Sequence, residues 1–108
     1  MDDVLLVLIT VPNSECAERI AVELVHKQLA ACVNIVPGLT SIYRWEGELH
    51  RDPELLLLVK TRRAVLAELQ AAVLESHPYK LPEIIAVEVT AGLAKYLDWV
   101  ANEVRTSR

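Results

Sequence analysis

The sequence predicts one α+β domain whose elements follow the order βαββαβ, with one extra helix at the C-terminal end. Two hydrophobic patterns predict this order. Continuous apolar runs such as Val4–Ile9 are typical of strands buried on both faces, whereas the spacing of Ala17, Ile20 and Leu24 is typical of an amphipathic helix. The chain has 108 residues and no linker or low-complexity stretch, so a single domain over 1–108 is expected.

The first half of the chain is predicted to hold a strand over 4–9, a helix from 14 to about 29, and a second strand over 31–36 that resumes at 41–45. The stretch Pro12-Asn13-Ser14 ends the strand and offers an N-cap, and Glu15 and Glu18 suit the first helical turn. Pro37 followed by glycine is expected to interrupt the second strand, because proline cannot donate to a sheet ladder.

The second half is predicted to hold a strand over 48–61, a helix over 63–76, a strand over 84–90 and a last helix from 93. Glu46-Gly47 is a hairpin signal, so the two middle strands should be neighbours. Pro53 is expected at a bulge or a sheet edge. Four strands with two right-handed crossovers predict a ferredoxin-like sandwich, and the tight turn argues against a three-layer arrangement.

Both faces of the last two predicted strands are apolar. Residues Leu55, Leu57 and Val59 alternate with Leu56 and Leu58, and residues Ile85, Val87 and Val89 alternate with Ile84 and Ala86. In the predicted fold the helices cover one face of the sheet and leave the other open. We therefore expect the open face to be covered by another copy of the same sheet.

Composition excludes several classes of function. Hydrophobic residues make up 53% of the chain, which favours self-association. A net charge of −4, with no phenylalanine, argues against a nucleic-acid partner. Val4–Ile9 is too short to span a bilayer, and the acidic start Met1-Asp2-Asp3 is unlike a signal peptide. With two cysteines and no disulfide framework, a reduced, cytoplasmic protein without a membrane partner is expected.

Four blocks carry a resemblance to a known family. They are AACVNIVPGLTSIYRWEGEL at 30–49, LLLLVKT at 55–61, HPYKLPEI at 77–84 and YLDW at 96–99. Together they resemble the CutA family of divalent-cation tolerance proteins over nearly the whole chain. The resemblance implies a cytoplasmic homotrimer of ferredoxin-like subunits packed like the PII signalling proteins. It also implies tolerance to copper and other divalent metals, copper binding in some members, and no established enzymatic reaction.

The metal candidates follow from this resemblance. His77 and Glu83 match family positions that can supply a nitrogen and an oxygen ligand, and imidazole suits copper and zinc. They can share a metal only if Pro78 and Pro82 bend the chain or if the ligands meet across subunits, because six extended residues span about 20 Å. The structural alternative is that His77 closes the preceding helix and Glu83 pairs with a lysine.

A thiol ligand is the third metal candidate. Some family members carry a cysteine late in the first strand, where this chain has Ile9 in the stretch Ile9-Thr10-Val11-Pro12. Cys32 is therefore the candidate thiol, and the alternative is a buried, inert cysteine within the second strand. Copper is the expected metal, bound with no better than micromolar affinity.

An anionic effector is the second type of ligand considered. Lys60 follows an apolar strand and could neutralise an anion or pair with a carboxylate inside an interface. With Arg44 as a second donor and Tyr79 as a further contact, it would form an effector site between the subunits of a PII-like sensor. Tyr43 and Trp45 could line a groove or anchor a subunit interface.

An enzymatic role is not expected. The chain has no Ser-His-Asp, Cys-His or G-x-S-x-G pattern, and residues 11–14 lack the Gly-rich loop that acyl phosphate hydrolysis requires. We predict a homotrimeric CutA-like protein that binds copper or another divalent metal weakly and takes part in the response to metal ions. The alternatives are a PII-like sensor of a small anion and a structural or anchoring module without ligand.

Overall fold

A computed structural model describes residues 4–106. Its elements are β1 (Val4–Val11), α1 (Ser14–His26), β2 (Cys32–Trp45), β3 (Glu48–Arg62), a 3₁₀ turn (Arg63–Val65), α2 (Leu66–Ser76), β4 (Ile84–Glu88) and α3 (Ala94–Glu103). The predicted order of strands and helices is confirmed. The start Met1-Asp2-Asp3, on which part of the compartment prediction depends, lies outside the described residues.

The four strands form one antiparallel sheet in the order β2-β3-β1-β4. β3 separates β1 from β2, and β1 separates β3 from β4. The chain therefore passes through α1 on its way from β1 to β2 and through α2 on its way from β3 to β4. This is the ferredoxin-like arrangement that the element order predicts. None of the helices within residues 4–106 is long and apolar enough to cross a bilayer.

The hydrophobic core lies between the sheet and the helices. Side chains Leu5, Val7, Ile9, Leu57 and Val59 of the central strands are at most 1% exposed, and they pack with Ile20, Leu24, Leu69, Val73 and Val100 of the helices. A fully buried side chain of this size contributes about 1.5–3 kcal/mol. Packing against the helices therefore explains why the residues of β1 and β3 that face this side of the sheet are apolar.

The opposite face of the sheet is apolar and has no layer over it in the described chain. Cross-strand partners share a face, so the pairing register assigns to this open sheet face the residues Leu6, Leu8, Val36, Leu56, Leu58, Ile85 and Val87. Ile85 is 51% exposed and Val87 is 48% exposed. The predicted alternation is confirmed except at Val89, which lies beyond β4 and packs against the core.

The extents of two elements, α1 and β2, differ from the sequence prediction because of residues with positive φ. α1 ends at His26 rather than near Leu29, since Gln28 has φ +60 and closes a Schellman motif. The amide of Leu29 donates to the carbonyl of Leu24 over 2.9 Å, and the amide of Gln28 donates to the carbonyl of Val25 over 3.0 Å. β2 is continuous, because Gly38, at φ +88, allows a register shift between Val36 and Leu39.

Strands β2 and β3 extend beyond the rest of the sheet as a hairpin arm, residues 39–54. β1 pairs with β3 only as far as Leu55, so within the described chain β3 has a single neighbour in the arm. Pro53 lies in this edge segment, as predicted. The arm closes through Glu46 and Gly47, which both have positive φ, as a two-residue turn of type I′ requires.

Candidate functional site

A cleft of about 610 Å³ lies where the hairpin arm meets the loop between α2 and β4. The arm contributes Tyr43, Asp52 and Glu54 to its walls, and the 77–83 loop contributes Tyr79 and Glu83. Cavities of this size hold small molecules in many proteins. The cleft is therefore the candidate functional site of this chain.

His77 anchors the loop beneath the cleft. Its backbone amide caps α2 by donating to the carbonyl of Val73 over 2.8 Å. The residue is 7% exposed. Its ring nitrogen Nε2 donates to the carbonyl of Thr10 over 2.8 Å, and Nδ1 accepts from the amide of Tyr79 over 3.1 Å. These two bonds require a neutral imidazole protonated at Nε2. Nε2 thus attaches the loop to β1, and Nδ1 makes a hydrogen bond within the loop.

Tyr79 connects the loop to the hairpin arm. Its ring lies 4.8 Å from that of His77, and its hydroxyl donates to Glu54 Oε2 over 2.7 Å. Burial raises the pKa of Tyr79, and the hydrogen bond to the Glu54 carboxylate raises it further. The phenol therefore stays protonated around neutral pH and acts as a hydrogen-bond donor.

A second tyrosine–carboxylate pair lies on the arm itself. The Tyr43 hydroxyl donates to Asp52 Oδ2 over 2.5 Å, and this bond raises the pKa of Tyr43. The Tyr43 ring also stacks on His50, with 5.2 Å between ring centroids. Two carboxylates in the cleft are thus oriented by neutral phenols.

The cleft carries more negative than positive charge. Among residues 4–106, it is lined by the carboxylates of Asp52, Glu54 and Glu83 and by one cation, Lys80. Sequence reasoning identified Glu83 but missed Asp52 and Glu54. Glu54 directly precedes the apolar run of β3 and is 7% exposed, and a carboxylate at the buried end of such a run is the signal that could have found it.

The predicted metal ligands His77 and Glu83 approach the same cleft. Glu83 lines it and has no ion pair within the described chain, whereas His77 lies behind Tyr79. Among residues 4–106, no three histidine, cysteine or acidic side chains form a group that could hold a metal ion. A metal at His77 would have to replace one of its two ring hydrogen bonds. The metal assignment stays a prediction.

Cys32 and Lys60 lie together on the open sheet face. They are cross-strand partners, and Lys60 Nζ lies 3.6 Å from Cys32 Sγ. Lys60 also donates to Asn34 Oδ1. Cys32 is half-buried rather than fully buried. In a single subunit Cys32 is therefore on the same face of the sheet as the cleft but far from it, because its partner Lys60 lies six residues along β3 from Glu54.

The three predicted effector contacts are separated in one subunit. Arg44 is exposed near the hairpin turn, opposite Leu49, and Lys60 belongs to the open sheet face. Tyr79 lines the cleft. Trp45, which the sequence placed in a groove or an interface, lines the cleft as well. Only a neighbouring subunit could bring the three effector candidates to one ligand.

Several proteins of known name are similar to this chain in sequence and in fold. The divalent-cation tolerance protein CutA of Thermus thermophilus is 57% identical over 94 residues, 87% of this chain and 91% of that protein. The chloroplastic protein CutA of Arabidopsis thaliana is 46% identical over 94% of this chain, which spans 56% of that longer protein. The crystal structure of CutA1 from Oryza sativa superposes with a TM-score of 0.95 at 44% identity, covering 98% of this chain and 97% of that one.

The match to the family extends over almost every described element. It covers residues 5–103, from the second residue of β1 to the end of α3. The cleft, the open sheet face and all four blocks of the sequence resemblance fall within it. The chain belongs to the CutA1 divalent ion tolerance protein family.

Proposed function

We propose that this chain acts as a homotrimer that binds divalent metal ions weakly, copper before zinc, and takes part in the response to metal ions. We propose no enzymatic reaction for it. The observation that carries the proposal is the negatively charged cleft next to His77, in a chain of a divalent ion tolerance family. Three carboxylates against one ammonium group attract cations and repel anions.

The ligand geometry accounts for weak binding. Glu83 supplies an exposed carboxylate at the cleft, and His77 supplies Nδ1 once the amide of Tyr79 is displaced. Losing that hydrogen bond costs about 0.5–1.5 kcal/mol, which weakens binding by about tenfold at most. Because the thiol that some relatives carry in the first strand is Ile9 here, one soft donor is missing, and we expect affinity no tighter than micromolar. Cys32 could join only if a second subunit brought its own Cys32 to this cleft.

The open sheet face supports the trimer. Ile85 and Val87 are about half exposed at the centre of an apolar surface that a second sheet could cover. The closed symmetry of soluble homo-oligomers allows three such faces to meet around one axis. Both cysteines are free, which supports a reducing compartment such as the cytoplasm.

Calorimetric titration with copper and with zinc tests the metal site. Because an imidazole ligand must be neutral, copper affinity should weaken between about pH 7.5 and pH 5.5. His77→Ala should remove most of this pH dependence, and Glu83→Ala should weaken binding throughout the range. His26→Ala, which removes an exposed imidazole from α1, is the matched control and should leave the titration unchanged. If His77→Ala binds copper as the parent does at both pH values, His77 is not a copper ligand and the proposed metal site is wrong.

One observation favours a second candidate, a small anionic effector bound between subunits. Lys60 places an ammonium group on the apolar open sheet face, where its hydrogen-bond partners within the described chain are Asn34 and Cys32 and no carboxylate pairs with it. An anion would neutralise it in an interface. Titration with a panel of nucleotides tests this candidate, and Lys60→Met should abolish any binding found. A chain that binds neither metal nor nucleotide would be a structural or anchoring module.

A further inference from the structure

The hairpin arm has a second face, on the side of the sheet away from the open sheet face. Cross-strand pairing places Ile42 beside Arg51 and Arg44 beside Leu49 on this second face. Arg51 and Leu49 alternate along β3 in phase with the core residue Leu57, so they point to the helical side of the sheet. We call these four arm residues the basic arm face. The proposed sheet-to-sheet contact leaves this face uncovered.

The basic arm face is exposed on a part of the sheet that needs support. Leu49 is 73% exposed, and Ile42, which also borders the cleft, is 56% exposed. Both arginines are exposed and form no ion pair inside residues 4–106. The bond from Tyr79 to Glu54 supports the arm from its other face, whereas a two-stranded ribbon is marginally stable in water without further packing. The basic arm face thus suits a partner that offers apolar and acidic groups.

One side of α3 has these groups. Tyr96, Trp99 and Glu103 are spaced i, i+3 and i+7, so they share a side of the helix, which we call the aromatic flank. The two rings form a tilted pair with 5.6 Å between centroids, and Tyr96 is 41% and Trp99 42% exposed. Glu103 is exposed and has no ion pair within the described chain. Aromatic rings attract guanidinium groups, and tryptophan, tyrosine and arginine contribute most to protein interfaces.

The two surfaces lie at opposite ends of one subunit. α3 packs at the end of β3, where Arg62 donates to the carbonyl of Ala101 over 3.4 Å, and Trp99 lies within one turn of Ala101. Leu49 is at the other end of β3, separated from Arg62 by about 43 Å of extended strand. The longest dimension of the subunit is 44 Å. The basic arm face and the aromatic flank therefore cannot meet within one copy.

We propose that the basic arm face of one copy docks on the aromatic flank of a second copy. Ile42 and Leu49 pack against the two rings, and one of the arginines pairs with Glu103. Because each copy carries both surfaces at opposite ends, the contact runs head to tail and closes into a ring when it repeats around an axis. This inference rests on the proposed homotrimer and adds a contact separate from the open sheet face.

Dissociation of the trimer on dilution, followed by light scattering, measures the contact. Leu49→Asp should raise the concentration at which the trimer dissociates by about tenfold or more. Val22→Asp, which places the same charge at a 67% exposed position of α1, should leave it unchanged. In the Trp45→Phe variant Trp99 is the remaining indole. Acrylamide should quench its emission more strongly once Leu49→Asp is added, at a concentration where the protein is still a trimer.

A charge exchange distinguishes a lost contact from a misfolded arm. Arg44→Glu and Arg51→Glu should each weaken the trimer, and Glu103→Arg should restore it for the arginine that faces Glu103. The inference is overturned if Leu49→Asp and both arginine variants dissociate like the parent, a result that leaves the homotrimer proposal standing. It is also overturned if Glu103→Arg restores neither variant, or if acrylamide reaches Trp99 equally with and without Leu49→Asp. A parent that is monomeric at micromolar concentration overturns this inference and the homotrimer together.

Discussion

Replacing Leu58 by glutamate tests whether a second copy covers the open sheet face. Leu58 lies on β3 between its cross-strand partners Leu8 and Asn34, at the centre of this face. In the described subunit it is half-buried. The proposed trimer would bury it completely, so the two states predict different costs for a charge at this position.

The magnitude follows from the exposure of the side chain. In a free subunit the glutamate could turn its carboxylate to water, and a surface substitution of this kind changes stability by about 0.5 kcal/mol or slightly more. Under a second sheet the carboxylate would be buried without a partner, at a cost of about 3–5 kcal/mol in each subunit. That difference of about 2.5–4.5 kcal/mol corresponds to roughly two to three orders of magnitude for each subunit that enters the trimer.

Light scattering at micromolar concentration, combined with urea unfolding, measures both effects. The parent should be a trimer, and Leu58→Glu should dissociate or unfold at a much lower urea concentration. Val22→Glu is the matched control, because Val22 is 67% exposed on α1 and the same charge there should change neither measurement. A parent that is a stable monomer, or a Leu58→Glu variant that remains a trimer with an unchanged midpoint, would refute the reasoning.

Three further predictions concern the thiols, pH and the core. Titration of the unfolded, reduced protein should find two thiols, and an intrachain disulfide would contradict the reducing compartment. In the folded protein Cys16 should react more slowly than Cys32, because burial raises the pKa of Cys16. The pKa of Tyr79 is higher in the folded than in the unfolded chain, so stability should fall as pH rises above about 10, and Tyr79→Phe should flatten that fall in urea unfolding. Thr61→Val should cost about 1–3 kcal/mol, because it removes the buried 2.7 Å bond to the carbonyl of Leu29; an unchanged urea midpoint would show that this carbonyl finds another donor.

The sequence by itself determined the order of the elements and the apolar character of both sheet faces. These features depend on local periodicity: alternation along β3, helical spacing in α1, and the turn residues Glu46 and Gly47. Local signals also located the helix N-cap within Pro12-Asn13-Ser14, and in the structure the side chain of Asn13 accepts the amide of Cys16 over 2.8 Å. The ends of elements were less well predicted, because Gln28 adopts a left-handed conformation that its residue type does not indicate.

Only the tertiary structure decided which polar groups meet in the cleft. Glu54 and Tyr79 are 25 residues apart, and they touch because the hairpin arm and the 77–83 loop converge beside the sheet. The same packing places Thr10 against His77, so both ring nitrogens of a predicted ligand are occupied. Periodicity records which side of its own element a residue faces. It carries no information on which distant side chain will lie opposite, and that depends on how the elements pack.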